Sequence, residues 1–263
     1  IAVSQCSEDD WRAQMNKEIL REALFYPGVN VEVYQAHDDN THQIKDIESL
    51  IERKVDLLIV APNEAEAITP VIEKAYDAGI PVILVDRKIN SKKYTAYVGA
   101  DNYEIGRKAG EYIADRLGGK GRVIEITGLR GSTPAVERHR GMMEALKAVP
   151  GVQVVASAEA GWFRQKAGEV MDTLLDAHPQ VNLVFAQNDR MAIGAYEKAR
   201  QKNRAGQIAF VGVDAVAGGV ESVAEGKLDA TFIYPTGGDK VIQVAMAILR
   251  VEPYQRENIL STA

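Results

Sequence analysis

The chain has 263 residues, 46% of them hydrophobic, enough for a large core and, at roughly 100 to 200 residues per domain, for two lobes. Its 37 acidic residues outnumber 31 basic ones, and a formal net charge of −6 argues against direct contact with nucleic acid, whose binders carry a basic stripe that releases counterions. A single cysteine, Cys6, excludes an internal disulfide and leaves the redox compartment open, and no apolar run reaches the ~18 residues of a membrane-spanning helix.

Short apolar runs alternate with amphipathic stretches along the whole chain, the pattern of βαβ units and a mainly parallel sheet. The first strand, IAVS, begins at Ile1 without a charged leader region, as expected of a processed or excised domain. After Ser7-Glu8-Asp9-Asp10, a capping stretch, Trp11, Met15, Ile19 and Ala23 recur every fourth residue and predict a helix that Pro27-Gly28 ends. VNVEVYQ from Val29 follows as a strand, then a helix marked by Ile44, Ile47, Leu50 and Ile51, then the strand VDLLIVAP from Val55. Ile68, Val71, Ile72 and Ala75 mark a third helix before IPVILVD from Ile80 and TAYVGA from Thr95. Further strands are expected at RVIEITG from Arg122, VQVVASAE from Val152, VNLVFAQ from Val181, IAFVGVD from Ile208 and DATFIYP from Asp229. Ten strands fit two sheets of five or six.

An internal repeat supports two lobes. DLLIVAPNEAEAI, a helix and IPVILVD in the first half resemble NLVFAQNDRMAIG, a helix and IAFVGVD in the second. Asn63 and Asn188 stand 125 residues apart, Asp86 and Asp214 128, and Ser4 and Thr127 123. Such near-constant offsets imply two similarly folded α/β lobes. Open parallel sheets bind ligands beyond the carboxyl ends of their strands, where these polar residues fall, and two facing lobes would bring both sets to one cleft.

The strand-end set comprises Ser4, Asp86, Arg87, Thr127, Asn188, Asp189 and Asp214, with Arg138 on the helix after Gly131-Ser132-Thr133-Pro134. Amides, carboxylates and guanidinium forks suit paired hydrogen bonds with vicinal hydroxyls, so a polyol is the natural ligand. Trp11 and Trp162-Phe163 also follow strand ends and could cover the apolar face of a sugar ring. Each residue has a plainer reading as well. Asp189 is read as the cap of the following helix, and Asn188, supported by the repeat, as a ligand contact. Asp86-Arg87 alone reads equally as a surface ion pair opening the basic loop RKINSKK, and Trp11 equally as the first core contact of its helix.

Enzyme signals are weak. GLRGST lies between a strand and a helix but lacks both G-x-G-x-x-G spacing and a G-K-[ST] ending, and there is no G-x-S-x-G elbow. His37, Asp38, Asp39 and His42 read as loop and cap residues rather than a metal site, and His139 and His178 as isolated surface or satisfied histidines. The segment is expected to be no enzyme and to need no cofactor or metal.

The pieces PVILVDR (Pro81 to Arg87), Asp101-Asn102 with Ile105-Gly106, ERHRG (Glu137 to Gly141), FAQNDRMAIGA (Phe185 to Ala195), VGVD (Val211 to Asp214) and GKLDAT (Gly226 to Thr231) resemble type I periplasmic sugar-binding proteins of the ribose-binding kind, which share their core with LacI-type regulators. The resemblance covers essentially the whole chain. It implies a periplasmic binding protein-like type I fold, α/β, with two doubly wound parallel-sheet lobes joined by three crossover segments near Ala100 to Asn102, Tyr234-Pro235 and Asn258 to Leu260. The lobes would take residues 1–101 with 235–258, and 102–234 with 259–263. Carried over by position, it implies sugar contacts from Ser4, Trp11, Asp86, Arg87, Arg138, Trp162, Asn188 and Asp214, and closure of the lobes on the ligand.

The chain departs from the ribose pattern by placing Glu8, Asp10 and Trp11 where an Asn and two aromatics are usual, and Tyr234 in place of a Gln. Glu8 and Asp10 thereby become weaker candidate contacts, Tyr234 a full one, and the expected ligand a different monosaccharide, fructose. The chain is similar to the fructose-responsive sensor domain of hybrid two-component histidine kinases. That likeness implies a periplasmic location and, as partner, a membrane-anchored kinase portion of the same chain. An ABC permease is the partner if the protein is instead a free importer component, and dimerisation is allowed but not required.

Overall fold

The computed structural model describes residues 1–262. The elements run β1 (Ala2–Gln5), α1 (Asp10–Ala23), β2 (Glu32–Gln35), α2 (Asn40–Glu52), β3 (Leu58–Val60), α3 (Ala65–Asp77), β4 (Val82–Val85) and β5 (Ala96–Ala100). They continue with α4 (Asn102–Arg116), β6 (Gly121–Thr127), α5 (Thr133–Lys147), β7 (Val152–Glu159), α6 (Arg164–Ala177), β8 (Leu183–Ala186), α7 (Asp189–Gln201), β9 (Ala209–Asp214), α8 (Ala217–Ala224) and β10 (Ala230–Ile233). The last two are α9 (Gly238–Leu249) and β11 (Glu257–Leu260). All strand pairings are parallel, in a six-stranded sheet ordered β11-β5-β4-β3-β1-β2 and a five-stranded sheet ordered β10-β9-β8-β6-β7. This is the α/β architecture expected, because helices cover a parallel sheet on both faces and leave its central strands as continuous apolar runs.

Two compact units result. The first comprises Ile1–Ala100, Gly131–Thr133 and Pro235–Ser261, and the second Asp101–Arg130, Pro134–Tyr234 and Thr262. One detail of the expected boundaries is corrected. Ile259 and Leu260 pair with Gly99 and Ala100, and Asn258 Nδ2 donates to the Tyr97 carbonyl at 3.2 Å, so these residues form an edge strand of the first sheet rather than a crossing. Ala263, the last residue of the predicted second-lobe piece, lies outside the described residues.

In the first unit, Leu58, Val60, Val82 and Leu84 from the strands pack with Ile47, Leu50, Ile68 and Ile72 from α2 and α3, all fully buried. Complete burial of such a side chain contributes roughly 1.5 to 3 kcal/mol. Asp9 caps α1 by accepting from the Arg12 amide at 2.7 Å, and Met15 and Ile19 go fully into the core. Cys6, just past β1, is fully buried.

The second unit centres on Ile124, Ile126, Val184 and Phe210 with Met171 and Met191 from α6 and α7. Its α4 and α5 cross very closely. A Cβ placed on Gly106 would lie 2.1 Å from the Arg138 carbonyl oxygen, and one on Gly141 2.0 Å from that of Tyr103. Only glycine permits this approach, which sets Arg138 beside Asn102 at the start of α4.

Candidate functional site

In the first unit Arg12 and Arg87 gather around Asp86, immediately after β4. Its backbone is left-handed, with φ 64°, and is held there from both sides: its amide donates to the Val98 carbonyl at 2.9 Å and its carbonyl accepts from Tyr97 Oη at 3.1 Å. Its buried carboxylate accepts from Arg12 Nη2, and Arg87 Nε lies 3.5 Å away. The Arg12 guanidinium sits 5.0 Å from the centre of the Trp11 ring and 3.4 Å from Gln5 Oε1. Burial works against the Arg12 charge, yet Asp86, Cys6 and Asp9 together outweigh that cost and hold the guanidinium protonated above its ordinary range. Arg87 Nη1 donates to the Asn63 carbonyl at 2.8 Å, so Asp86-Arg87 is a buried pair and not a surface one. Trp11 is 8% exposed.

Ser4 faces α2: its buried hydroxyl accepts from Gln43 Nε2 at 3.2 Å, and the same amide donates to the Ala61 carbonyl at 2.9 Å. Glu8 and Asp10 are exposed. Glu8 lies 3.6 Å from the equally exposed His37.

In the second unit the cluster centres on Arg138 of α5, which is buried. Its Nε donates to Asn102 Oδ1 at 2.9 Å, its Nη1 to the Gln187 carbonyl, and Nη1 comes within 3.9 Å of Asp214 Oδ1. The guanidinium lies 4.3 Å from the centre of the Tyr234 ring and 5.7 Å from that of Trp162. Tyr234 Oη accepts from Asn102 Nδ2 at 3.2 Å, so Asn102 joins the arginine and the phenol. Trp162, with φ 77°, and Asp214, with φ 119°, both adopt strained backbone.

The Asn188-Asp189 pair divides its roles differently from the sequence reading. Asn188 is the cap, accepting from the Met191 amide at 2.9 Å, and its Nδ2 reaches the Trp162 carbonyl at 3.4 Å. Asp189 is the first helical residue and is fully buried. The cap position is taken one residue earlier because the extended backbone of Asn188 lets its side chain reach back over the first turn. Burial pushes the Asp189 carboxyl up to about 7, against the lowering influence of hydrogen bonds from Thr231 and Val216.

His139 is a satisfied histidine, as expected, but not an isolated one: Nδ1 is 2.7 Å from Oε2 of Glu125, a fully buried carboxylate on β6. Glu125 also accepts from Ser157 Oγ at 2.8 Å and Gln187 Nε2 at 2.9 Å. The Glu125 bond raises the His139 pKa above its ordinary value, with burial acting the other way. Among the described residues no group of three or more His, Cys, Asp or Glu is arranged to hold a metal ion.

The profile of a family described as a periplasmic binding protein domain matches residues 1–253. The chain belongs to the periplasmic binding protein family. This periplasmic binding protein is 34% identical over 230 residues to the ribose import binding protein RbsB of Escherichia coli (strain K12), covering 87% of this chain and 77% of that one. It is 31% identical over 265 residues to the D-ribose/D-allose-binding protein of Pseudomonas aeruginosa, covering 97% and 81%. Among solved structures, the fructose-binding periplasmic domain of a hybrid two-component system superposes with a TM-score of 0.98 at 54% identity, over 100% of this chain and 88% of that one. The family is the one that FAQNDRMAIGA and VGVD resemble. No helix among the described residues of this binding protein is long and apolar enough to cross a membrane.

Arg12, Asn102 and Gln187 belong to the clusters but escape the sequence reading. A signal for Arg12 was present, since it stands 126 residues before Arg138, inside the spread of the repeat.

Proposed function

We propose that this domain is an extracytoplasmic monosaccharide receptor with fructose as its preferred sugar. It signals by ligand-driven lobe closure to a membrane-anchored histidine kinase portion of the same chain. The observation that carries the sugar reading is the same device in each unit: a buried arginine beside a strand-end carboxylate and an aromatic face, Arg12 with Asp86 and Trp11, and Arg138 with Asp214 and Trp162. A carboxylate accepts from one hydroxyl while a guanidinium donates to its neighbour, and an indole covers the C–H face of a pyranose or furanose ring. Ser4, Arg87, Asn188 and Tyr234 are proposed to add further contacts, and Glu8 and Asp10 weaker ones.

The likeness at 54% identity to a domain named for fructose binding in a hybrid two-component system supports both the sugar and the sensor role. A second reading is a free periplasmic component of an ABC importer, favoured by relatives named as ribose import binding proteins. The reading frame beyond residue 263 separates them, because kinase modules there favour the sensor and a stop codon within a few residues the importer component.

A thermal-shift screen against monosaccharides tests the proposal, because a ligand that binds only the folded state at 100 times its Kd adds about 2.7 kcal/mol to stability. Fructose is expected to give the largest rise in Tm. No shift with any sugar sinks the receptor reading, and a larger shift with ribose or another sugar sinks the fructose assignment.

A further inference from the structure

Asp189 opens α7, yet Asn188 already caps that helix, so the buried carboxylate has another task. Its Oδ1 accepts from Thr231 Oγ1 at 2.5 Å and its Oδ2 from the Val216 amide at 3.2 Å. Thr231 Oγ1 in turn accepts from the Ala215 amide at 3.1 Å. The two residues that follow Asp214 are therefore both tethered to Asp189, one directly and one through a single hydroxyl. They need tethering, because Asp214 and Ala215 adopt φ 119° and 52°, conformations that cost non-glycine residues and persist only where the surroundings over-determine them.

The surroundings are shaped to the carboxylate. A Cβ on Gly212 of β9 would lie 2.3 Å from Asp189 Oδ1, and one on Gly219 of α8 would lie 1.9 Å from Oδ2. Glycines thus admit the carboxylate from both sides of the turn it holds. At the mouth of that turn Asp214 stands within 3.9 Å of Arg138.

We propose that Asp189 is a positioning residue for ligand binding: it locks the β9–α8 turn in its strained form and so aims Asp214. The proposal rests on the reading of Asp214 as a ligand contact, but the lock itself does not. Asp189 touches no ligand and acts through the backbone of Ala215 and Val216.

The test uses the whole domain with Asp189→Asn, which keeps the side-chain volume and turns one acceptor into a donor. In the sugar-free protein, amide hydrogen exchange at Ala215 and Val216 is expected to accelerate about tenfold or more. Fructose affinity by calorimetry is expected to fall about tenfold. In an Asp214→Asn background the same substitution is expected to change affinity by less than about twofold, because interacting sites are non-additive.

Unchanged exchange at Ala215 and Val216 overturns the lock. Accelerated exchange with equal losses of affinity in both backgrounds overturns the link to Asp214. If Asp214→Asn itself binds fructose like the wild type, the site reading fails, while the exchange result still decides the lock. Should Asp189→Asn not fold, Thr231→Val removes the bridging hydroxyl at nearly constant shape and must accelerate exchange at Ala215 and lower fructose affinity only where Asp214 is present, and its failure to do so overturns the proposal.

Discussion

Arg12 on α1 donates to the carboxylate of Asp86 after β4, and both side chains are almost completely shielded from water. The second unit repeats the arrangement with Arg138 and Asp214, 126 and 128 residues further along. In both units the acid sits at positive φ and a tryptophan face lies beside the guanidinium. The internal repeat thus extends from the backbone to a charge-pairing device.

Breaking the first pair from one side is expected to be costly. Asp86→Ala leaves Arg12 buried without its carboxylate, a loss that typically reaches about 3 to 5 kcal/mol. Urea denaturation measures it. Arg12→Met combined with Asp86→Leu is expected to cost less than Asp86→Ala alone, and a single variant as stable as wild type would show that the pair is not needed.

Contacts in the second unit are expected to separate in their effects. Asp214→Ala is expected to weaken fructose binding about tenfold or more, since truncating a buried partner costs roughly 1 to 3 kcal/mol. Asn188→Ala is expected to lose a similar amount of affinity and, in addition, about 1 kcal/mol of stability from the lost cap. Calorimetry with wild-type affinity in both variants removes them from the site.

The α4–α5 crossing predicts a steric effect. At Gly106 an alanine methyl meets the backbone oxygen of Arg138, so Gly106→Ala is expected to destabilise by about 1 to 3 kcal/mol. Gly206→Ala, where a Cβ meets nothing within 4 Å, is the control and is expected to stay within about 0.5 kcal/mol of wild type. Equal melting temperatures for the two variants would refute the tight crossing.

Two titrating groups predict pH effects. His139 has its pKa raised by Glu125, so its contribution is fully present below the unfolded value near 6.5 and is lost as pH rises through the folded one. His139→Gln is expected to flatten that part of the stability profile, modestly because the ring is half exposed. Asp189, raised to about 7, likewise stabilises at low pH and loses that contribution as pH climbs from about 4 through 7. The stability of wild type relative to Asp189→Asn should therefore fall across this window, and a constant difference from pH 4.5 to 8 contradicts the assignment.

The strands were legible because buried parallel strands read as unbroken apolar runs such as LLIVA and IPVILV. ENIL was not, because β11 is an edge strand that buries only Asn258 fully and carries too few apolar residues to show a period. Arg12 reads as a solvated helix charge unless the repeat is followed through to Arg138. Neighbours in sequence could not say which of Asn188 and Asp189 turns back over the helix, since that depends on backbone geometry at the join. The bond from His139 to Glu125 links a helix to a strand and leaves no local trace.

Cys6 is the chain's sole thiol, and solvent does not reach it. Buried thiols of this kind are inert toward alkylating dyes, so the native protein is already blank for chemical labelling. A cysteine introduced at an exposed position such as Leu24 or Phe163 would be its single reactive handle. One substitution then suffices to attach a fluorophore and turn the domain into an optical reporter of its own ligand.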